Sequence, residues 1–163
     1  MIDQTTAARI NDAMARGRAN LLDELIHLFC GLPSVMDATL LAVSTDQTMV
    51  KRIGSSNARM FPSGSNEPLN PADPWCRKIM EEKQPVLADG KAGLAHYLTE
   101  AAAIEAAGYG ASGSFPIIIG GRVAGTINML APERHFTEAR IATVKALLPY
   151  AALIFLFPET DTA

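Results

Sequence analysis

A chain of 163 residues, 48% hydrophobic and 19% charged, is long enough for one domain that buries roughly two-thirds of its unfolded surface, so neither disulfides nor a metal are needed to hold it together. Its net charge of -3 and the lack of a basic cluster argue against nucleic-acid and anionic-membrane partners. Asp3, Asn11 and Asp12 interrupt any signal-like apolar core, and the apolar run Ala146 to Phe157 is shorter than the ~20 residues of a membrane span. A cytoplasmic location is therefore expected, with Cys30 and Cys76 as reduced thiols.

Ile10, Met14, Leu21, Leu22, Leu25, Ile26 and Phe29 recur at helical spacing, and Gly31 with Pro33 stops the run, which predicts an N-terminal helix within 1–31. Gly17 interrupts it at some cost, so a break near Asn20, a residue suited to N-capping, is expected. Ala38 to Ser44 and Gln47 to Ile53 read as a hairpin turning at Thr45-Asp46. From Gly54 to Ala72 the chain is rich in Ser, Asn, Gly and Pro, the composition of a functional lid or a locally disordered loop. Asp73-Pro74 supplies an N-cap and a first-turn proline for a short helix through Trp75, Cys76, Ile79 and Met80. Pro85 to Ala88 reads as a short edge strand, and Leu94 to Ala107 as one covering helix.

The last third is the most informative. Ser114 to Ile119 and Arg122 to Leu130 are β-branched and apolar, and Gly120-Gly121 between them tolerates the positive φ angles of a tight hairpin. Phe136 and Ile141 around Thr137 form a hydrophobic staple at the start of a helix over 137–157, which Pro149 should kink. With Ile119 and Arg122 paired beside the turn, alternation puts Phe115, Ile117, Ala124, Thr126 and Asn128 on one face, a candidate pocket lining. Pro116, Ile118, Val123, Gly125, Ile127 and Met129 fall on the other, expected to pack on the terminal helices, with Gly125 letting a helix come close.

In this order the elements make an α+β fold of one domain over 1–163. A central antiparallel sheet of five to six strands fills 36–131, with terminal helices on one face and loops and short helices on the other. The residues Ser112-Gly113-Ser114-Phe115-Pro116-Ile117, Gly121 to Asn128 and Phe136-Thr137-Glu138 resemble the GAF domains, small-molecule sensor modules of signalling proteins. Glu81 to Asp89, with Gln84-Pro85-Val86, is similar to that family's middle strand. The resemblance implies a PAS-like sheet, a ligand held between the sheet and the covering helices, and dimerisation through the terminal helices.

Candidate ligand-binding residues are then Trp75, Cys76, His96, Tyr97, Ser112, Phe115, Ile117, Thr126 and Asn128, with no cofactor assigned. The Asn-Lys-Phe-Asp-Glu signature of cyclic-nucleotide-binding members is missing. Cys76 is followed by Arg77 rather than by the residues that accompany bilin attachment. His27, His96 and His135 lack metal-ligand spacing. Cys76, in a helical first turn beside Arg77 and Lys78, has two readings: a small thiol packed beneath the helix beside Trp75, which is preferred, or a thiol of lowered pKa. Three functions follow: a sensor acting through partner proteins; a redox enzyme of the free methionine sulfoxide reductase type using Cys76; and a dimerisation module without ligand. The excess of apolar side chains from Ala151 to Phe157 suggests a homodimer built from the first and last helices.

Overall fold

Two helices open the chain, α1 (Gln4–Arg16) and α2 (Arg18–Cys30), in a computed structural model that describes residues 3–158. The ends of the expected 1–163 domain, residues 1–2 and 159–163, lie outside the described residues. Asp3 caps α1 by accepting from the Thr6 amide at 2.7 Å. The break falls at Gly17, whose φ of 117° only glycine adopts readily, and not at Asn20. Asn20 lies inside α2, where its side chain bonds back to Arg16.

The strands are β1 (Asp37–Val43), β2 (Met49–Ser55), β3 (Asn66–Pro68), β4 (Val86–Asp89), β5 (Ala111–Ile119) and β6 (Arg122–Ala131). They form one antiparallel sheet in the order β3-β2-β1-β6-β5-β4. The sixth strand, β3, arises within the Ser/Pro-rich stretch, where three residues pair with Met49, Val50 and Lys51. Its three exposed side chains leave no hydrophobic alternation by which to recognise it. β4 is the opposite edge, as its leading proline suggests.

Between the strands lie α3 (Pro74–Cys76), continued by a wide π turn over Arg77–Glu81, and then α4 (Gly90–Tyr97) and α5 (Ala101–Ala106). The single covering helix expected over Leu94 to Ala107 is thus two. Leu98 is extended, with φ -116° and ψ 128°, which turns the chain so that Leu94, Leu98 and Ile104 all reach one apolar cluster with Phe61 and Tyr109. Tertiary packing overrides the alanine-rich helix propensity there. The last helix, α6 (Glu138–Ala152), starts at Thr137, whose hydroxyl accepts from the Arg140 amide at 3.3 Å, and runs on as a tight turn over Leu153–Leu156.

The helix does not stop at Pro149. Glu138–Leu156 is continuously helical and long and apolar enough to cross a membrane, correcting the expectation of too short a run. Here its Val144, Leu147, Ala151 and Ile154 are instead buried in the domain core. That core joins α1, α2 and α6 to one face of the sheet, with Leu21, Leu25, Phe29, Leu40, Phe115 and Ile127 fully buried.

A β-bulge decides which residues face that core. Gly120 and Gly121, with φ of 58° and 75°, form the tight turn, and Ile119 pairs with Arg122 and Ile118 with Val123. The next pair, however, is Ile117 with Gly125, so Ala124 is extra and the register of everything beyond it moves by one. Phe115 and Ile117 consequently share a face with Gly125, Ile127 and Met129, against the terminal helices. The opposite face carries Ser112, Ser114, Thr126, Asn128 and Leu130. The close approach expected at Gly125 is present: a Cβ there would stand 2.6 Å from the Phe155 ring and 2.1 Å from the Leu41 carbonyl oxygen.

Candidate functional site

The second face of the sheet floors a cavity of about 550 Å³, within the range of small-molecule sites. β1, β2, β5 and β6 supply the floor. The cover consists of α3, the segments Glu67 to Ala72 and Tyr97 to Glu100, and Ile104 of α5. Apolar walls come from Leu41, Val50, Phe61, Leu69, Leu98 and Leu130. Trp75 is held in place because Asp73 caps its helix, accepting from the Trp75 amide at 3.4 Å, and because its indole N–H donates to Ser114 Oγ at 3.1 Å.

The polar part of the floor is neutral. The Asn128 amide donates to Thr39 Oγ1 at 3.2 Å and accepts from the Thr126 hydroxyl at 3.1 Å, which fixes the carboxamide plane. Thr39, Ser112 and Ser114 are 8%, 5% and 3% exposed, so water reaches them only through the cavity. Such groups are costly to leave without partners, and a cavity that presents them suits a ligand that hydrogen-bonds.

One end of the cavity is a separate network. The Asp37 carboxylate accepts from the Tyr109 hydroxyl, from Ser56 Oγ at 2.7 Å and from Asn57 Nδ2 at 3.3 Å. Burial, followed by the bond to the Asp37 carboxylate, pushes the Tyr109 phenol above its ordinary pKa. These bonds tie the loop after β2 to the start of β1 and to the turn before β5. The loop is further pinned where Arg52 lies 5.6 Å from the centre of the Phe61 ring and donates to the Pro62 carbonyl at 3.2 Å. The stretch expected to be a lid or disordered is therefore an ordered part of the cavity wall.

Of the nine residues expected to bind ligand, Trp75, Cys76, Tyr97, Ser112 and Asn128 line the cavity together. Phe115 and Ile117 do not; the bulge at Ala124 turns them into the helical core on the other face. Thr126 faces the correct side but is fully buried and reaches the cavity only by orienting Asn128. His96 is exposed and lies edge-on to Tyr97, with ring centres 4.6 Å apart. Residues that the sequence reading passed over are Asp37, Thr39, Arg52, Phe61 and Ser114. Alternation from Ser112 would have found Ser114, and Phe61 is one of the few large apolar side chains in a polar stretch.

Cys76 follows the first of its two readings, a thiol packed beneath the helix, and not the lowered pKa. It is buried, and desolvation, with Asp73 and Glu81 nearby, raises the thiol pKa rather than lowering it. Cys30 packs with the helical core across the sheet, so the two thiols are on opposite faces. Among the described residues no group of three or more His, Cys, Asp or Glu is arranged to hold a metal ion.

Comparison with known proteins agrees with this architecture. The family model for the GAF domain matches residues 15–155, and the chain belongs to that family. Among solved structures, the GAF domain of a phosphoenolpyruvate-protein phosphotransferase from Coxiella burnetii superposes with a TM-score of 0.70 at 13% identity, over 93% of this chain and 92% of that one. A methyl-accepting chemotaxis protein fragment gives 0.69 at 17% identity, covering 93% and 94%. The phycoerythrobilin-bound GAF domain of a cyanobacterial phytochrome gives 0.67 at 14% identity, covering 93% of each. Likeness at such identities is one of fold. No curated protein matches the chain significantly.

Proposed function

We propose that this GAF domain is a small-molecule sensor that acts through a partner protein. The observation that carries the reading is the cavity of about 550 Å³, apolar in its walls and hydrogen-bonding in its floor, on the face of the sheet that the terminal helices leave free. Solved relatives of the same fold include domains from chemotaxis, histidine kinase and phytochrome proteins, which favours a signalling role. A raised thiol pKa at Cys76 and the separation of the two cysteines weigh against a thiol-based reductase.

The terminal helices are the proposed route of output and the proposed homodimer interface. The run Glu138–Leu156 is apolar over most of its circumference, yet only 22% of its most apolar stretch is buried, and Leu156 is 71% exposed. A second copy covering that face would remove the apolar surface from water. Thermal-shift screening of soluble metabolites against the wild type and Ser112→Phe, whose ring covers the polar floor of the cavity, tests the sensor reading. Compounds that raise the melting temperature of the wild type alone support it, and a screen in which both proteins respond alike opposes it. Analytical ultracentrifugation of the wild type and Leu156→Glu tests the dimer: a wild-type dimer that dissociates in the variant is expected.

A further inference from the structure

We infer that the cavity takes an uncharged, ring-sized ligand that presents a carbonyl or ring-nitrogen acceptor to Ser112, and that it discriminates against carboxylates and phosphates. The inference rests on the sensor reading and specifies its ligand. It follows from which hydrogen-bonding capacity of the floor is left over.

An indole N–H is a donor only, so Ser114 Oγ must serve Trp75 as acceptor, and its own hydrogen is free to be donated. That hydrogen meets no acceptor among the described residues. Ser112 Oγ has no hydrogen-bond partner among them either, although the residue is 5% exposed and borders the cavity. The two serines stand two residues apart on one face of β5, about 7 Å along the strand. One oxygen cannot lie within about 2.7 Å of two hydroxyls that far apart, so the acceptor goes to Ser112, whose hydroxyl is not engaged by Trp75. The floor thus asks for an acceptor.

Charge decides what kind of acceptor. The lining carries the carboxylates of Asp37, Glu67, Asp73 and Glu100 against the guanidinium of Arg52. An anion entering this cavity meets a net excess of negative charge. Arg52 offers limited relief, being turned to the Pro62 carbonyl and the Phe61 ring. Its Nε, buried without a partner, is the feature that most favours an anion, and the experiment includes that alternative. The remaining walls, Trp75, Tyr97, Leu69 and Leu130 among them, suit a flat apolar body.

Three isosteric probes separate these possibilities: naphthalene-2-carboxamide, naphthalene-2-carboxylate and 2-methylnaphthalene. Trp75 is the chain's single tryptophan, so its indole N–H resonance reports the cavity without ambiguity in a titration followed by NMR. The carboxamide should bind most tightly, at least about tenfold better than the carboxylate. Ser112→Ala, which leaves the Trp75 bond to Ser114 intact, should weaken the carboxamide about three- to tenfold and leave 2-methylnaphthalene unchanged. Ser114→Ala should shift the free indole resonance and change the carboxamide affinity less than Ser112→Ala does. Tighter binding of the carboxylate, or equal affinity of the carboxamide for wild type and Ser112→Ala, would overturn the ligand class and leave the sensor reading standing. An indole resonance unmoved by any of the three probes would overturn both.

Discussion

Gly125 is where the Phe155 ring of the last helical turn meets the sheet, and its replacement by alanine tests the packing that separates the core face from the cavity face. The added methyl would lie 2.1 Å from the Leu41 carbonyl oxygen and 2.6 Å from the Phe155 ring. The first contact is with the backbone of the neighbouring strand, where Ala42 pairs with Gly125, and cannot be relieved by a rotamer change. The second is with a partly buried side chain in the last helical turn, which can move only by loosening that turn. Overpacking of this kind costs about 1–3 kcal/mol, and the rigid carbonyl places Gly125→Ala near the upper end, about 3 kcal/mol. For a chain of this size, ~2–4 °C per kcal/mol gives a fall of about 6–12 °C in melting temperature. A double-mutant cycle with Phe155→Ala, measured by urea unfolding, divides the cost. Removing the ring should be cheaper in the alanine background, by about 1 kcal/mol, since the clash disappears with it. A melting temperature within 2 °C of wild type for Gly125→Ala would refute the assigned register and the approach of Phe155.

Tyr109→Phe should cost about 1 kcal/mol, because a half-buried carboxylate loses one of its three donors, and amide exchange should accelerate in the loop after β2 that Asn57 anchors; unchanged exchange there would contradict the network's role. His135 is buried, and burial, with Arg140 beside it, holds its pKa below the ordinary 6.5. The unfolded chain therefore binds a proton that the folded chain does not. The stability it supports is complete above about pH 6.5 and falls as pH drops toward the folded pKa. Urea midpoints should accordingly be lower at about pH 5.5 than at about pH 7.5, with the difference reduced in His135→Leu and unchanged if His135 titrates normally. Iodoacetamide should alkylate Cys76 in a Cys30→Ser background more slowly than it does free cysteine at about pH 8, and faster labelling would revive the thiol-based reading.

The fold was readable because its punctuation is local. Asp73-Pro74, Gly120-Gly121 and Thr137 each act through the backbone geometry of a few residues, and each begins or ends the element expected of it. Part of the cavity face was misread for an equally local reason. Alternation is a strict period of two, so the unpaired Ala124 inverts the assignment of Phe115 and Ile117; Gly125, which can mark a bulge, was read only as a place of close approach. The residues of the cavity that were found, Trp75, Cys76, Tyr97, Ser112 and Asn128, come from four separate elements. Asp37 and Arg52 were passed over because a charged residue within or at the start of a strand looks like an ordinary exposed one until the neighbouring loop covers it. For Cys76 the helix and adjacent bases offered a lowered pKa as the second reading, and burial with Asp73 and Glu81 nearby raises it instead.

The claim that the cavity holds a small molecule is tested most directly by native mass spectrometry of the protein purified from its own host, alongside Ser112→Phe. The wild type should carry an added mass of small-molecule size that collisional activation releases as a neutral species, and the variant should not. Wild type and variant both running at the bare chain mass, or carrying the same adduct, would contradict it.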